Sequence, residues 1–508
     1  MAVSFEESFA RKRIDFFSVG TVLQYLRYIL FLLAAALFLC GYLSGLFNVI
    51  LCGVLSLFLS NVLFGFADGK NRVIFLFFHL TIFTFLLSRP TISMLRGDYW
   101  WHFDISAVCF ALNALFLTLL FLRLGAMVGD EILKKHRSAQ KVSSSLKKPL
   151  YESDFRRSMQ VVSFVFFIIT MGIYLLLQLE KLQFMQGREY AEIYLSFQSA
   201  YPAPVQTLGS MMKYALCIFL ATLPSKRMAF LPLVLYLLSA VPSLLIGIRN
   251  PIVLNAIFIF IYYFVRDVLG DEKRWLGTGE KLFLIITVPL ALCFLGAYNY
   301  IRDGASSSLS VIGTLVDFFY KQGVSFDVLC MGYSAIPDLP NVISKVYTFG
   351  PFTDYFYYGS LGQFLFHTTP LGGQNSELAA VYGHSFAHSM SYVAHPEYLS
   401  GYGWGSSYLL ESFADWGYWG IILVSFLFGL LFQLSMLVLR KNILWRTILF
   451  VSLLNIFFVP RAETTGWLLF IVTVQFWLSI IFCYFLSGLC SRRYSHQNAD
   501  GLITPEER

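Results

Sequence analysis

The chain is a string of apolar runs, each roughly 17–22 residues long, separated by polar joints, most of them short. Runs of that length match the hydrocarbon thickness of a bilayer. Backbone N–H and C=O groups find no water there, so each run must satisfy its own hydrogen bonds and fold as a helix. The period-two alternation of a membrane β-barrel is absent. Of the 508 residues, 57% are hydrophobic and 13% are charged. The sequence therefore predicts an all-α integral membrane protein with about twelve transmembrane helices. They are expected over roughly 28–43, 47–65, 73–88, 104–122, 161–179, 206–223, 229–248, 252–266, 282–299, 416–438, 443–459 and 466–487. Residues 1–300 then hold the first nine helices, with a basic loop at 123–160. A large extracytoplasmic loop spans 301–415, the last three helices lie within 416–488, and 489–508 form a tail.

The Lys and Arg residues sort this string into sides. About 27 fall in loops of one side and about 9 in loops of the other, while Lys213 falls inside a run. The rich side is cytoplasmic by the positive-inside rule, which puts both termini there. The loop 123–160, with Lys134, Lys135, Arg137, Lys141, Lys147, Lys148, Arg156 and Arg157, reads as a flexible connector. The net charge of +7 is a matter of topology and anionic lipid contact and requires no nucleic acid. Arg11-Lys12-Arg13 and Arg27 precede a long first run without a small-residue cleavage site, so no cleaved signal is expected. The eight cysteines lie mostly inside the runs. Cys330 is alone in the large loop, and no CxxC motif is present.

Cations on the poor side stand against the trend, and three sit at the ends of runs. In Ile248-Arg249-Asn250-Pro251, the proline suits a first helical turn and holds Arg249 beside a helix N-terminus that favours an anion. Val459-Pro460-Arg461 repeats that arrangement before the last run, and Arg302 leaves the ninth on the same face. Three guanidiniums suit a pyrophosphate, because their planar forks pair with phosphate oxygens. Each could instead reach lipid headgroups or pair with Asp303 or Glu463.

The segment 401–420 is rich in glycine and aromatics. Alternating glycines permit close backbone approach, and Trp404, Gly405, Ser406 and Tyr408 offer surfaces and hydrogen bonds for a sugar. Glu411 and Asp415 share a helix face, and a carboxylate here could take the proton of an attacking hydroxyl. Glu411 ranks first as that base, at the head of a helix entering the membrane. The structural alternative is a re-entry turn, with Gly417, Gly420 and Gly429 as packing contacts and Trp416, Tyr418 and Trp419 as an interfacial belt. His384 and His388, near His367, His395 and Glu397, have helical spacing and are further base or sugar-contact candidates. They lack the HExxH pattern of a zinc pair, so no metal is expected. No DxD motif occurs in the outer loops and no Walker A motif is present. Segment 309–332 has helical spacing broken at Gly323. No paired broken-helix repeat or set of intramembrane acids points to a coupled carrier.

Several of these pieces, in order, resemble the Wzy-type polymerases of O-antigen and capsule repeat units. They are Gly247-Ile248-Arg249, Arg302-Asp303-Gly304, Lys321-Gln322-Gly323-Val324-Ser325, the glycine–serine block to Gly420 with Glu411, and Arg461. The likeness spans roughly 245–470; the N-terminal part is similar in topology only. It implies a cofactor-free, inverting, metal-independent glycosyl transfer at the outer face of the bacterial cytoplasmic membrane. The partners implied are undecaprenyl-pyrophosphate-linked oligosaccharides, membrane lipid, and a chain-length regulator and flippase of the same pathway. An O-antigen ligase-like transferase and a lipid-linked oligosaccharide flippase are the other readings. A flippase would show two related halves and no large outer loop.

A tag placed within 138–148 is expected to stay protected in intact cells, and one within 340–400 to be labelled from outside. External labelling of the first would invert the topology and move every outer-face assignment with it.

Overall fold

The computed structural model describes residues 19–141, 150–188, 192–270, 275–302, 310–372 and 375–500. Every regular element among them is a helix. The early spans are α1 (Val19–Ser44), α2 (Phe47–Ala67), and α3 (Val73–Ile82), which runs through a π turn at Phe83–Leu87 into α4 (Ser88–Arg96). They are followed by α5 (Ile105–Lys141) and α6 (Leu150–Phe184). Then come α7 (Ala203–Ser210), α8 (Met212–Ala221), α9 (Lys226–Leu238), α10 (Asn250–Leu269) and α11 (Thr278–Arg302). The large loop holds α12 (Val311–Gln322), α13 (Ser325–Ala335), α14 (Gly350–Tyr357) and α15 (Phe386–Ala394), with shorter turns between them. The chain ends with α16 (Tyr408–Val438), α17 (Ile443–Leu453) and α18 (Val474–Asp500).

Eleven helices are long and apolar enough to cross a membrane, so the chain is a multi-pass membrane protein. The expected run 206–223 is missing from the eleven because it is broken: α7 and α8 meet at Met211, and neither alone has spanning length. The pair still carries the chain across. Arg156, near the start of α6, shares one end of the bundle with Arg446 and Arg266. Lys226 pairs with Glu280 and Arg266 donates to the Pro224 carbonyl at that same end. A chain that leaves this end along α6 must therefore return before Lys226. Lys213, the charge inside a run, sits just past the break.

Two further expectations are corrected. The region 123–160 is not a flexible connector throughout, because α5 and α6 extend deep into it from both sides. Only 142–149 fall outside the described residues. The last span does not begin at 466. Residues 456–461 and 466–472 form 3-10 turns, and the α-helix starts at Val474. The break at Gly323 between α12 and α13 is as expected.

Paired contacts keep the two ends distinct. Arg72 and Asp130 join the basic-loop end. At the opposite end Arg89 pairs with Asp327 at 3.2 Å, and Ser88, placed by the π turn, donates to the Phe319 carbonyl at 2.8 Å. Long α5 and α16 pack closely enough that their backbones nearly touch. A Cβ on Gly125 would lie 2.0 Å from the Phe426 carbonyl oxygen, and one on Gly429 2.0 Å from that of Leu122. Close approach through small residues is a means of gaining van der Waals contact when lipid and helix are equally apolar. Buried Ser425 donates to Thr118 at 3.3 Å across the same seam.

Gly125→Leu is expected to separate these helices and to destabilise the fold by about 1–3 kcal/mol or more. The readout is loss of the monodisperse peak on heating in detergent. Gly172→Leu, at an exposed site with nothing within 4 Å, should be tolerated.

Candidate active site

At the end opposite the basic loops, two buried or half-buried carboxylates stitch three distant segments together. Helix α16 is two helices joined at a kink: Trp416 and Gly417 leave the helical region, Gly417 with φ 60°. The turns before the kink present Glu411 and Asp415. Glu411 is 0% exposed. Its Oε1 accepts from Ser406 Oγ at 2.7 Å, and its Oε2 accepts from the Thr464 backbone N–H at 2.7 Å and Thr464 Oγ at 2.8 Å. Asp415 accepts from the backbone N–H groups of Tyr347 (2.9 Å) and Thr348 (2.7 Å). Thr465 donates to the Thr348 carbonyl and closes the ring of segments.

This stitching explains the late start of α18. The Thr464 N–H that a helix would use is held by Glu411, and Pro460 has no N–H to give, so the α-helix gives way to 3-10 turns at 456–461 and 466–472 with an irregular joint at 462–465. Arg461 consequently ends a 3-10 turn and does not head a long helix, in contrast to the expectation. Arg249 is placed as expected, immediately before α10 with Pro251 in its first turn. The two arginines converge: their charges repel one another, and Arg461 Nη donates to Gln322 Oε1 at 3.2 Å. Arg302 closes α11, but its side chain lies outside the described residues.

Glu463, two residues after Arg461, faces the Asp354–His384 pair. Glu463 is half-buried, and its carboxyl is raised above the ordinary 4.5, first by burial and then by the charge of Asp354, while a hydrogen bond from Ser385 opposes the rise. His384 Nδ1 lies 2.9 Å from Asp354 Oδ1, and its backbone N–H also donates to that carboxylate. His388 has its own partner, the Tyr398 hydroxyl at 2.9 Å from Nδ1. Burial holds its imidazole below the ordinary 6.5. The two histidines thus have different hydrogen-bond partners, while the Asp354 charge reaches both.

His388 lines a pocket of about 310 Å³ with Asn375, Ser391, Tyr398, Tyr402 and Trp404, floored by Gly401, Gly403 and Gly405. That volume is at the small end of ligand pockets, about 300–1,000 Å³. Ser391 Oγ accepts from the Trp404 N–H at 2.9 Å, and Asn375 donates to the Tyr398 and Tyr402 carbonyls, which fixes the glycine-rich loop. A Cβ on Gly405 would lie 3.5 Å from the Arg461 carbonyl oxygen, so the pocket adjoins the arginine segment.

The family model described as O-antigen polysaccharide polymerase Wzy matches residues 26–494. The chain belongs to that family. No curated protein and no solved structure matches it.

Several predicted roles in this Wzy-family chain are revised by the geometry. Tyr408 is 0% exposed and packs on Phe78 and Phe428, so it is a core residue and not a sugar contact. Ser406 is buried and serves Glu411, and Asp415 is engaged with backbone. Glu411 is buried with both oxygens occupied by its own chain. Trp404 and Gly405 do line the pocket. Glu463, Asp354 and Gln322 were not picked out as site residues from sequence. Glu463 stands two residues from Arg461, a usable signal; Asp354 has none, because its partner His384 lies in another turn of the loop.

Glu411→Gln must turn an amide N–H₂ towards a donor and is expected to lower stability by about 1.5–3 kcal/mol, read as a lower melting midpoint in detergent. Unchanged melting with lost turnover would return Glu411 to the role of proton acceptor.

Proposed function

We propose that this chain polymerises undecaprenyl-pyrophosphate-linked repeat units at the outer face of the cytoplasmic membrane, building O-antigen or capsular polysaccharide. The observation that carries the geometry of this reading is the convergence of Arg249 and Arg461, from distant parts of the sequence, at the end opposite the basic loops. Two guanidiniums whose charges act on one another, with a helix N-terminus, favour a diphosphate, whose developing charge is the largest thing a catalyst must stabilise here. The charge asymmetry supports an outer location for that end, with both termini cytoplasmic. The family match favours polymerase over ligase-like transferase or flippase.

In the proposed step, the acceptor hydroxyl oxygen attacks the anomeric carbon of the donor sugar. The bond from that carbon to the pyrophosphate oxygen breaks, and the electron pair leaves with the diphosphate, held by Arg249 and Arg461. The hydroxyl proton passes to Glu463, half-buried two residues after Arg461 and raised in pKa towards a working base. The Asp354–His384 pair braces that side of the site through Ser385 and the adjoining loop. The step inverts the anomeric centre and needs no metal. The pocket beside Trp404 and His388 receives a sugar of one of the two lipid-linked chains. A chain-length regulator and a flippase of the same pathway are its functional partners.

Arg249→Ala and Arg461→Ala are each expected to abolish polymer while the protein stays in the membrane, and Arg249→Lys to rescue poorly for want of a planar fork. A normal glycan ladder at equal protein level would reduce that arginine to a headgroup contact. In a purified assay with native lipid-linked repeat units, turnover should rise with pH through a pKa above the ordinary 4.5, since Glu463 must be deprotonated to accept a proton. Glu463→Gln should lose about 10²–10⁴-fold in rate; near-normal turnover would remove it as the base.

A further inference from the structure

The basic-loop end holds a second cluster of arginines, remote from the site just described. Three guanidiniums surround the Phe64 ring, with Cζ atoms 3.7 Å (Arg72), 5.3 Å (Arg123) and 5.6 Å (Arg27) from its centroid. Arg72 is neutralised by Asp130. Asp68, whose charge reaches Asp130, has both oxygens taken by the Asn71 amide. Among the described residues, no ion pair is formed by Arg27 or Arg123.

Arg123 is 6% exposed, and its hydrogen bond runs from Nη to Ser60 Oγ at 2.9 Å. Ser60 in turn donates to the Arg27 carbonyl at 2.8 Å, which holds the two arginine-bearing helices together. Arg27 Nε is enclosed and, among the described residues, has no hydrogen-bond partner. The charges of Arg27 and Arg72 both act on Arg123 and repel it. Burying like charges this way is strongly unfavourable unless an anion completes the set.

We propose that Arg27 and Arg123 bind the phosphodiester headgroup of an anionic phospholipid at the basic-loop end of the bundle. A planar guanidinium pair matches phosphate oxygens, and Arg27 Nε supplies a donor that no described residue uses. The position favours a lipid over a free ion. Helix α1 is the least buried of the early spans, with 11% of its apolar window enclosed. Leu23, Leu26 and Tyr28 beside Arg27 stay exposed, an apolar surface for the acyl chains. The site tethers α1 to the bundle through a lipid that bridges it to α5.

Full-length protein in a neutral maltoside detergent is titrated separately with phosphatidylglycerol, phosphatidylcholine and inorganic phosphate. The melting midpoint and the lipid retained in native mass spectrometry are read. Phosphatidylglycerol should raise the midpoint by several degrees and be retained, and the other two should do neither. Arg27→Gln and Arg123→Gln should each lose most of that rise and the retained lipid, and Arg123→Lys should keep part of it. In detergent alone Arg27→Gln should melt no lower than the parent protein, because a repelling charge is gone. Arg188→Gln, at the opposite end, should respond like the parent. Equal rises with both lipids, or a rise that survives in Arg27→Gln, would overturn the proposal. A full rise with inorganic phosphate would replace the lipid with a free anion. Should Arg123→Gln fail to fold, Arg27→Gln, at the half-buried rim, decides alone.

Discussion

The buried carboxylate of Glu411 is the constraint around which the opposite end of the bundle is arranged. A carboxylate removed from water costs several kcal/mol unless its oxygens are fully hydrogen-bonded. Here the donors are Ser406, five residues before it, and Thr464, on the far side of two membrane crossings. The local bond fixes the glycine-rich loop at the mouth of α16. The distant one takes a backbone N–H away from helix formation and leaves the 456–472 stretch as two 3-10 turns with an irregular joint at 462–465. Arg461 and Glu463 are carried in that stretch, so the carboxylate acts on them through the backbone. Asp415 does the same for Tyr347 and Thr348, and thereby seats the large loop on the helices.

The scaffold beneath is built for close approach. Glycine on α5 and α16 lets two long backbones lie almost in contact, and the kink at Gly417 turns the chain from that seam into the site. In lipid, where apolar burial gives no advantage to helix pairing, contact area and a few buried hydroxyl bonds must hold helices together. A rigid seam ending in a kink is a sound base for two carboxylates that tolerate little displacement. The large loop follows the same logic: its short helices bring Asp354 to His384 and Tyr398 to His388, and each histidine is oriented by one partner.

Much of this was legible in the chain itself. The apolar runs gave the helices, Gly323 marked the break between α12 and α13, and Arg249 was placed by the proline two residues on. Trp404 and Gly405, in the glycine-rich segment, line the pocket. The failures share one cause. Tyr408, Ser406 and Asp415 have the residue types of a binding site, but their side chains are occupied by contacts with residues distant in sequence or turned into the core. The run 206–223 reads as continuous because hydropathy does not register a broken hydrogen-bond ladder, and the basic loop reads as flexible because charge does not prevent a helix from continuing past the membrane.

Sequence alone determined the class: an all-helical chain that crosses the membrane many times, with its cations gathered at one end. Those properties are sums over neighbouring residues, so a local reading captures them. Only the tertiary structure decided which polar groups meet. Glu411 chose Thr464, Arg461 came to Arg249, and Asp354 came to His384, because a buried charge takes whichever donor the packed helices bring within about 3 Å, and that proximity is not written in any single segment.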